Sequence, residues 1–155
     1  MGWYDSHLHH FKIRGKGKRK AAKIGIPDFD RTGDLEEVYP GWEIPVFVYF
    51  NELGIKAKYE YDYSDGWMHT VQLEGYLYKE KETKFPICIG GERACPPEDC
   101  GGVSGYYNVL KTISDDDYED MKIWTRQGCH PESFYKDFVK FDNPYKRWRG
   151  SFLEK

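Results

Sequence analysis

No stretch of this sequence approaches the roughly 18 consecutive apolar residues that a membrane-spanning helix requires. The N-terminus also lacks the charged-then-apolar pattern of an export signal, so the expectation is a cytoplasmic protein with no membrane partner. Leu, Ile, Val and Phe are sparse, 32 in 155 residues, close to the composition at which chains cease to fold. Paired C-x-x-C knuckles are missing as well. The four cysteines, Cys88, Cys95, Cys100 and Cys129, are spaced unlike a structural zinc site, and in a cytoplasm they are expected as reduced thiols. Cys88, Cys95 and Cys100 remain weak metal candidates lacking a fourth ligand, and nothing calls for a cofactor.

What the chain does have is rings. Thirteen Tyr, nine Phe and five Trp can each bury a large area, enough for an aromatic core in one domain spanning residues 1–155.

The net charge of −3 is unevenly spread. Lys12, Arg14, Lys16, Lys18, Arg19, Lys20 and Lys23 form a segment without an acid, which leaves −10 on the rest of the chain. Gly15 and Gly17 interrupt it and it has no apolar period, so it reads as a loop or hairpin tip. Lys16, Lys18, Arg19 and Lys20 are the candidates for nucleic-acid phosphates, and a solvated loop is the plain alternative.

Alternation predicts a first strand over His7 to Ile13, with His9, Phe11 and Ile13 on one face. Ile26 to Pro40 reads as loop, and Val46 to Leu53 as a short helix or strand. Ala57 to Leu77 gives the clearest pattern, two alternating runs around Ser64-Asp65-Gly66. A three-residue turn ending at a left-handed Gly66 pairs Tyr63 with Trp67, Tyr61 with His69, Tyr59 with Val71 and Ala57 with Leu73. That register puts the apolar residues on one face, and Lys58, Glu60 and Asp62 on the other. Strands are thus expected at about 57–63 and 67–78, with another over Phe85 to Ile89.

Helical signals follow a loop from Gly90 to Gly102. Ser104 can cap a helix in which Tyr106, Val109, Leu110 and Ile113 recur. Asp115, Asp116 and Asp117 open a second helix carrying Tyr118, Met121 and Trp124, and Pro131 a third with Phe134 and Phe138 inward. Strands first and helices last predict an α+β domain, an antiparallel sheet with a long central hairpin followed by C-terminal helices.

Two groups of residues could carry chemistry. In the loop from Gly90 to Gly102, Pro96 and Pro97 stiffen the chain, glycines allow left-handed turns, and Arg93 can pair with Glu98 or Asp99. Arg93, Glu98, Asp99, Gly101 and Gly102 therefore form a candidate binding loop, or a self-braced connection. Asp62, Asp65 and His69 gather near the hairpin end, where carboxylates and an imidazole could hold a metal or move a proton. The bland alternative is a core histidine at 69, and the pleat turns Asp62 to the opposite face. His7, His9 and His10 lack a further ligand.

Several blocks, in order, resemble the plasmid pRi ORF-three-like family. They are Met1-Gly2-Trp3, Ser6 to Phe11, Tyr59 to His69, Pro86-Ile87-Cys88, Gly91 to Gly102, Gly105-Tyr106, Pro131 to Phe134, Phe141 to Pro144 and Arg147-Trp148. Ser64 stands where the family pattern has Gly. The resemblance implies a mobile-element context, because members are labelled TnpR-type passenger proteins of insertion elements. It also implies that strands and a helix of the family domain precede Met1-Gly2-Trp3. No serine or tyrosine recombinase pattern accompanies it. The leading expectation is a non-enzymatic accessory or binding protein with DNA or a protein as partner, using the hairpin end and the Pro-Pro-Glu-Asp loop. The alternatives are a metal-dependent hydrolase using Asp62, Asp65, His69, Glu98 and Asp99, and a protein-interaction module.

Overall fold

The computed structural model describes residues 2–15, 17, 20–28, 37–79, 81–112 and 130–153. They gather into two compact units, His7–Lys79 and Met1–Ser6 with Glu80–Lys155.

The first unit is a five-stranded sheet. Its strands are β1 (His9–Ile13), β2 (Ala22–Gly25), β3 (Val38–Pro40), β4 (Lys56–Tyr61) and β5 (Trp67–Gln72), in the order β3-β2-β1-β4-β5. All neighbours are antiparallel except β2 and β3, which run parallel, so the sheet is mixed where an antiparallel one is expected from sequence. β3 lies inside the stretch expected as loop. It is a three-residue edge strand ending at Pro40, where a missing N–H is tolerated. Val46–Val48 forms a single 3-10 turn with all three side chains exposed.

The face of the sheet that buries its residues is built from rings, as composition demands. Ile13, Ala57, Tyr59, Tyr61 and Trp67 are buried on it. Phe11 lies on Tyr59 with centroids 4.5 Å apart, and Tyr59 meets His9 at 5.6 Å and His69 at 5.8 Å. Rings in neighbouring strands thus do the work that aliphatic side chains do elsewhere.

The central hairpin departs from the expected register by two residues. Tyr61 pairs with Trp67, Tyr59 with His69 and Ala57 with Val71, so the strands end earlier and the loop holds five residues. Asp62 causes this. It adopts a left-handed φ of 55°, and its carbonyl accepts the Gly66 N–H at 2.6 Å, closing the turn from Asp62. A slip of two preserves which side chains share a face, so the apolar and polar faces stay as the alternation predicts.

The second unit carries α1 (Gly102–Thr112) and α2 (Pro144–Phe152). α1 begins two residues before the expected Ser104 cap. Gly105 fits in its first turn because a side chain there would run into the Cys100 carbonyl. No strand forms over Phe85 to Ile89. The helix expected from Pro131 is replaced by a turn and a 3-10 segment, Lys136–Phe138, with Phe138 exposed. α2 was not anticipated, although Asn143 caps it by accepting the Lys146 N–H at 3.1 Å and Pro144 occupies its first turn. The helix expected from Asp115 lies outside the described residues, as does Ile113.

Candidate functional site

The polar face of the sheet is built by the residues that alternate with the rings. His10 and Lys12 come from β1, Lys23 and Gly25 from β2, Lys56, Lys58 and Glu60 from β4, and Met68, Thr70 and Gln72 from β5. Lys12 pairs with Lys23 on one side and with Lys58 on the other. Three lysines therefore stand in one row across three strands, at a Cβ spacing of about 5 Å for directly opposed residues. The Lys58 ammonium donates to Thr70 Oγ1 at 3.1 Å, extending the row to β5.

His10 occupies the next row, opposite Gly25 and Glu60. It is buried, with Nδ1 2.9 Å from the Tyr63 hydroxyl and Nε2 3.7 Å from Glu60 Oε2. Gly25 is obligatory beside it, since a Cβ there would sit 2.6 Å from the His10 Cα and collide with the His9 carbonyl. Burial lowers the pKa of His10, and Lys23 and Lys12 lower it further, while Glu60 opposes them. A positive field therefore acts at this part of the sheet.

Of the four cations singled out at the hairpin tip, Lys20 is exposed beside the start of β2, whereas Lys16, Lys18 and Arg19 lie outside the described residues. The surrounding expectation of a hairpin connection agrees with the β1–β2 pairing.

Asp62, Asp65 and His69 occupy different surroundings. Asp62 is buried, and its Oδ1 accepts the N–H groups of Ser64 at 2.9 Å and Asp65 at 3.4 Å, while its own N–H donates to the Leu8 carbonyl at 3.1 Å. Oδ2 lies 3.6 Å from His7 Nδ1. This is an Asx-type turn that also tethers the chain before β1. Asp65 follows within the turn. His69 stands on the ring-lined face, where burial lowers its pKa and a hydrogen bond with the Tyr59 backbone partly offsets this.

The Pro-Pro loop is braced within its own unit. Trp3 Nε1 donates to the Pro96 carbonyl at 2.9 Å, the Tyr4 N–H to Glu98 at 2.7 Å, and the Ala94 N–H to the Pro131 carbonyl at 2.9 Å. Arg93, Asp99, Gly101 and Gly102 all take left-handed φ values, which fold the loop tightly. Arg93 meets Glu132, a residue outside the loop, at 3.4 Å. Both are well exposed, so the pair contributes little stability.

Cys88 donates to the Gly90 carbonyl and Cys100 to the Gly102 carbonyl, at sulfur distances of 3.4 and 3.9 Å. Burial pushes the Cys95 thiol up, against the smaller effect of a hydrogen bond with the Gly2 backbone.

Sequence reasoning misses the lysine row, and it places His10 only in a cluster with His7 and His9 that lacks a further ligand. In the sequence alone, Lys12 and Lys23 belong to a cationic run and Lys58 to the polar face of a strand. The signal was their strand register.

Residues 1–139 match the family described as plasmid pRiA4b ORF-3-like protein, and the chain belongs to that family. A relative from Sinorhizobium fredii, the uncharacterized protein y4hQ, is 32% identical over 120 residues, covering 77% of this chain and 57% of that protein. The match thus spans little more than half the length of this curated relative. A crystal structure of a protein of unknown function from Methanosarcina mazei Go1 is similar at a TM-score of 0.74 and 32% identity, over 90% of this chain and 75% of that one. Among the described residues, no helix is long and apolar enough to cross a membrane.

Proposed function

We propose that this chain is a nucleic-acid-associated accessory protein of mobile DNA, which meets phosphates through the β1–β2 hairpin. One observation carries the reading. Because β1 and β2 are paired, the acid-free segment from Lys12 to Lys23 has its two ends joined, and Lys12, Arg14, Lys20 and Lys23 lie on or beside those strands. A cluster of cations on a chain of net negative charge acts locally, drawing a polyanion to one place. The plasmid origin in the family's description supports the mobile-DNA context.

The test is binding of the purified chain to short duplex and single-stranded DNA at several salt concentrations. A log-log slope of about −4 or steeper is expected, at roughly 0.9 per phosphate contact, and Arg14→Gln and Lys20→Gln should each flatten it by about 1. Absence of binding at about 50 mM salt, where phosphate contacts are strong, overturns the reading.

A further inference from the structure

We propose that the free edge of β5 is a self-association site, at which two copies of this chain join through an antiparallel β5–β5 seam about a two-fold axis at Thr70. The inference goes beyond the nucleic-acid reading and is tested without nucleic acid.

The two edges of the sheet differ. An exposed edge invites strand addition, and proteins blunt it with a short strand, a proline or a charge. Among the described residues, β3 closes one edge with three residues that end at Pro40. The other edge is β5, six residues long, Trp67-Met68-His69-Thr70-Val71-Gln72, with no proline, lysine, arginine or acid. Met68, Thr70, Val71 and Gln72 are exposed. The Leu73 N–H donates to the Ile55 carbonyl at 3.0 Å, so the alternation of an antiparallel ladder gives Trp67, His69 and Val71 the bonds to β4 and turns the backbone groups of Met68, Thr70 and Gln72 outward. Among the described residues, no backbone group outside the sheet bonds to these three.

A second copy is the occupant because the strand is complementary to itself. With the axis at Thr70, this residue faces the partner's Thr70, Met68 faces the partner's Gln72, His69 faces the partner's Val71 and Trp67 faces the partner's Leu73. Each outward residue then exchanges its N–H and C=O with the one it faces, and threonine pairs and aromatic-aliphatic pairs are favourable across strands. No like charges are opposed, since Lys56, Lys58 and Glu60 stand one strand back on β4. An axis at His69 or Val71 would set one outward residue against Gly66 or Glu74, beyond the ends of β5, so Thr70 is the centre that uses the whole edge. A seam of one strand pair lies at the small end of protein interfaces, and a Kd between about 1 µM and 1 mM is expected.

The test is sedimentation equilibrium of the intact chain between about 10 µM and 1 mM, which should show a monomer-dimer equilibrium. Hydrogen exchange over the same range should show protection that rises with concentration at the Met68, Thr70 and Gln72 amides, while those of Trp67, His69 and Val71, already bonded to β4, change little. Thr70→Pro removes an N–H that β4 does not use, so it should abolish the dimer with little change in the melt of the dilute chain. Thr70→Glu sets a carboxylate opposite Lys58 of its own chain but opposite its own counterpart across the seam. It should weaken association by about tenfold or more at low salt, and by less at about 1 M salt. A chain that stays monomeric to about 1 mM overturns the proposal, as does a dimer that survives both substitutions or whose protection falls elsewhere. Open-ended assembly also overturns it, because a two-fold seam leaves no β5 edge to add to. DNA binding enters none of these readouts, so this proposal and the nucleic-acid reading can each fail alone.

Discussion

The Nδ1 of His10 lies 2.9 Å from the Tyr63 hydroxyl, with the two rings edge to face at 5.4 Å, so a strand near the start of the chain is bonded to the turn that closes the central hairpin. The bond crosses 53 residues of sequence and is made by a buried imidazole.

That burial sets a pH dependence of stability. Burial is the largest cause lowering the pKa of both His10 and His69, with Lys23 next for His10. The unfolded chain therefore takes protons at these positions more readily than the folded one. The stabilisation is present above the ordinary histidine value of about 6.5 and is lost as pH falls through the depressed folded values. Urea denaturation should give a lower midpoint at about pH 5.5 than at 7.5, and His10→Gln and His69→Gln should each flatten the dependence.

Asp62 should behave as a turn residue. Asp62→Ala removes an acceptor from two N–H groups and places a side chain poorly suited to φ 55°, and should cost about 2 kcal/mol by chemical denaturation. Asp62→Asn keeps the acceptor and tolerates the left-handed backbone, so its loss should stay below about 1 kcal/mol. Equal losses for both would mean that the carboxylate charge beside His7 matters more than the turn.

Gly25 and Gly105 are each held by close backbone approach. An alanine at 25 would meet β1 at the His9 carbonyl, and one at 105 the Cys100 carbonyl. Both substitutions should destabilise by about 2 to 3 kcal/mol, because backbone cannot yield as a flexible side chain can. Circular dichroism melts check this, and Gly54→Ala, at a left-handed position with open space around it, should cost less.

Asn143→Ala removes the cap of α2 and should cost about 1 kcal/mol. Hydrogen exchange should locate the loss in the first turn after Pro144, leaving the strands β1 to β5 protected as before.

How much of this was legible in sequence depends on how local its cause was. The alternation around Tyr59, Tyr61, Trp67 and His69 fixes the faces, since period two is a property of each strand by itself. The loop length was not legible in the same way, because it depends on Asp62 taking a left-handed φ and on the Gly66 N–H reaching back to it. β3 escaped notice because three residues ending in proline make no pattern, and its parallel pairing with β2 is a tertiary choice. Asn143-Pro144 announced α2 locally, yet Gly150 and the scattered rings of that segment obscured it. The lysine row belongs to no single segment, and only pairing Lys12 with both Lys23 and Lys58 reveals it.

The position of β1 in the strand order has a consequence for the path of folding. β4 and β5 are joined by a short turn, and β1 and β2 by a short connection, so each pair closes a small loop. β1 and β4 are different: His9 meets Tyr61 and Ile13 meets Ala57, contacts between residues more than 40 positions apart. Joining the two hairpins carries the high contact order of this sheet, and the chain must lose that loop entropy before the ring ladder from Phe11 to Tyr59 can form. Substitutions along this one seam should slow refolding, whereas those at the hairpin turns should act mainly on unfolding.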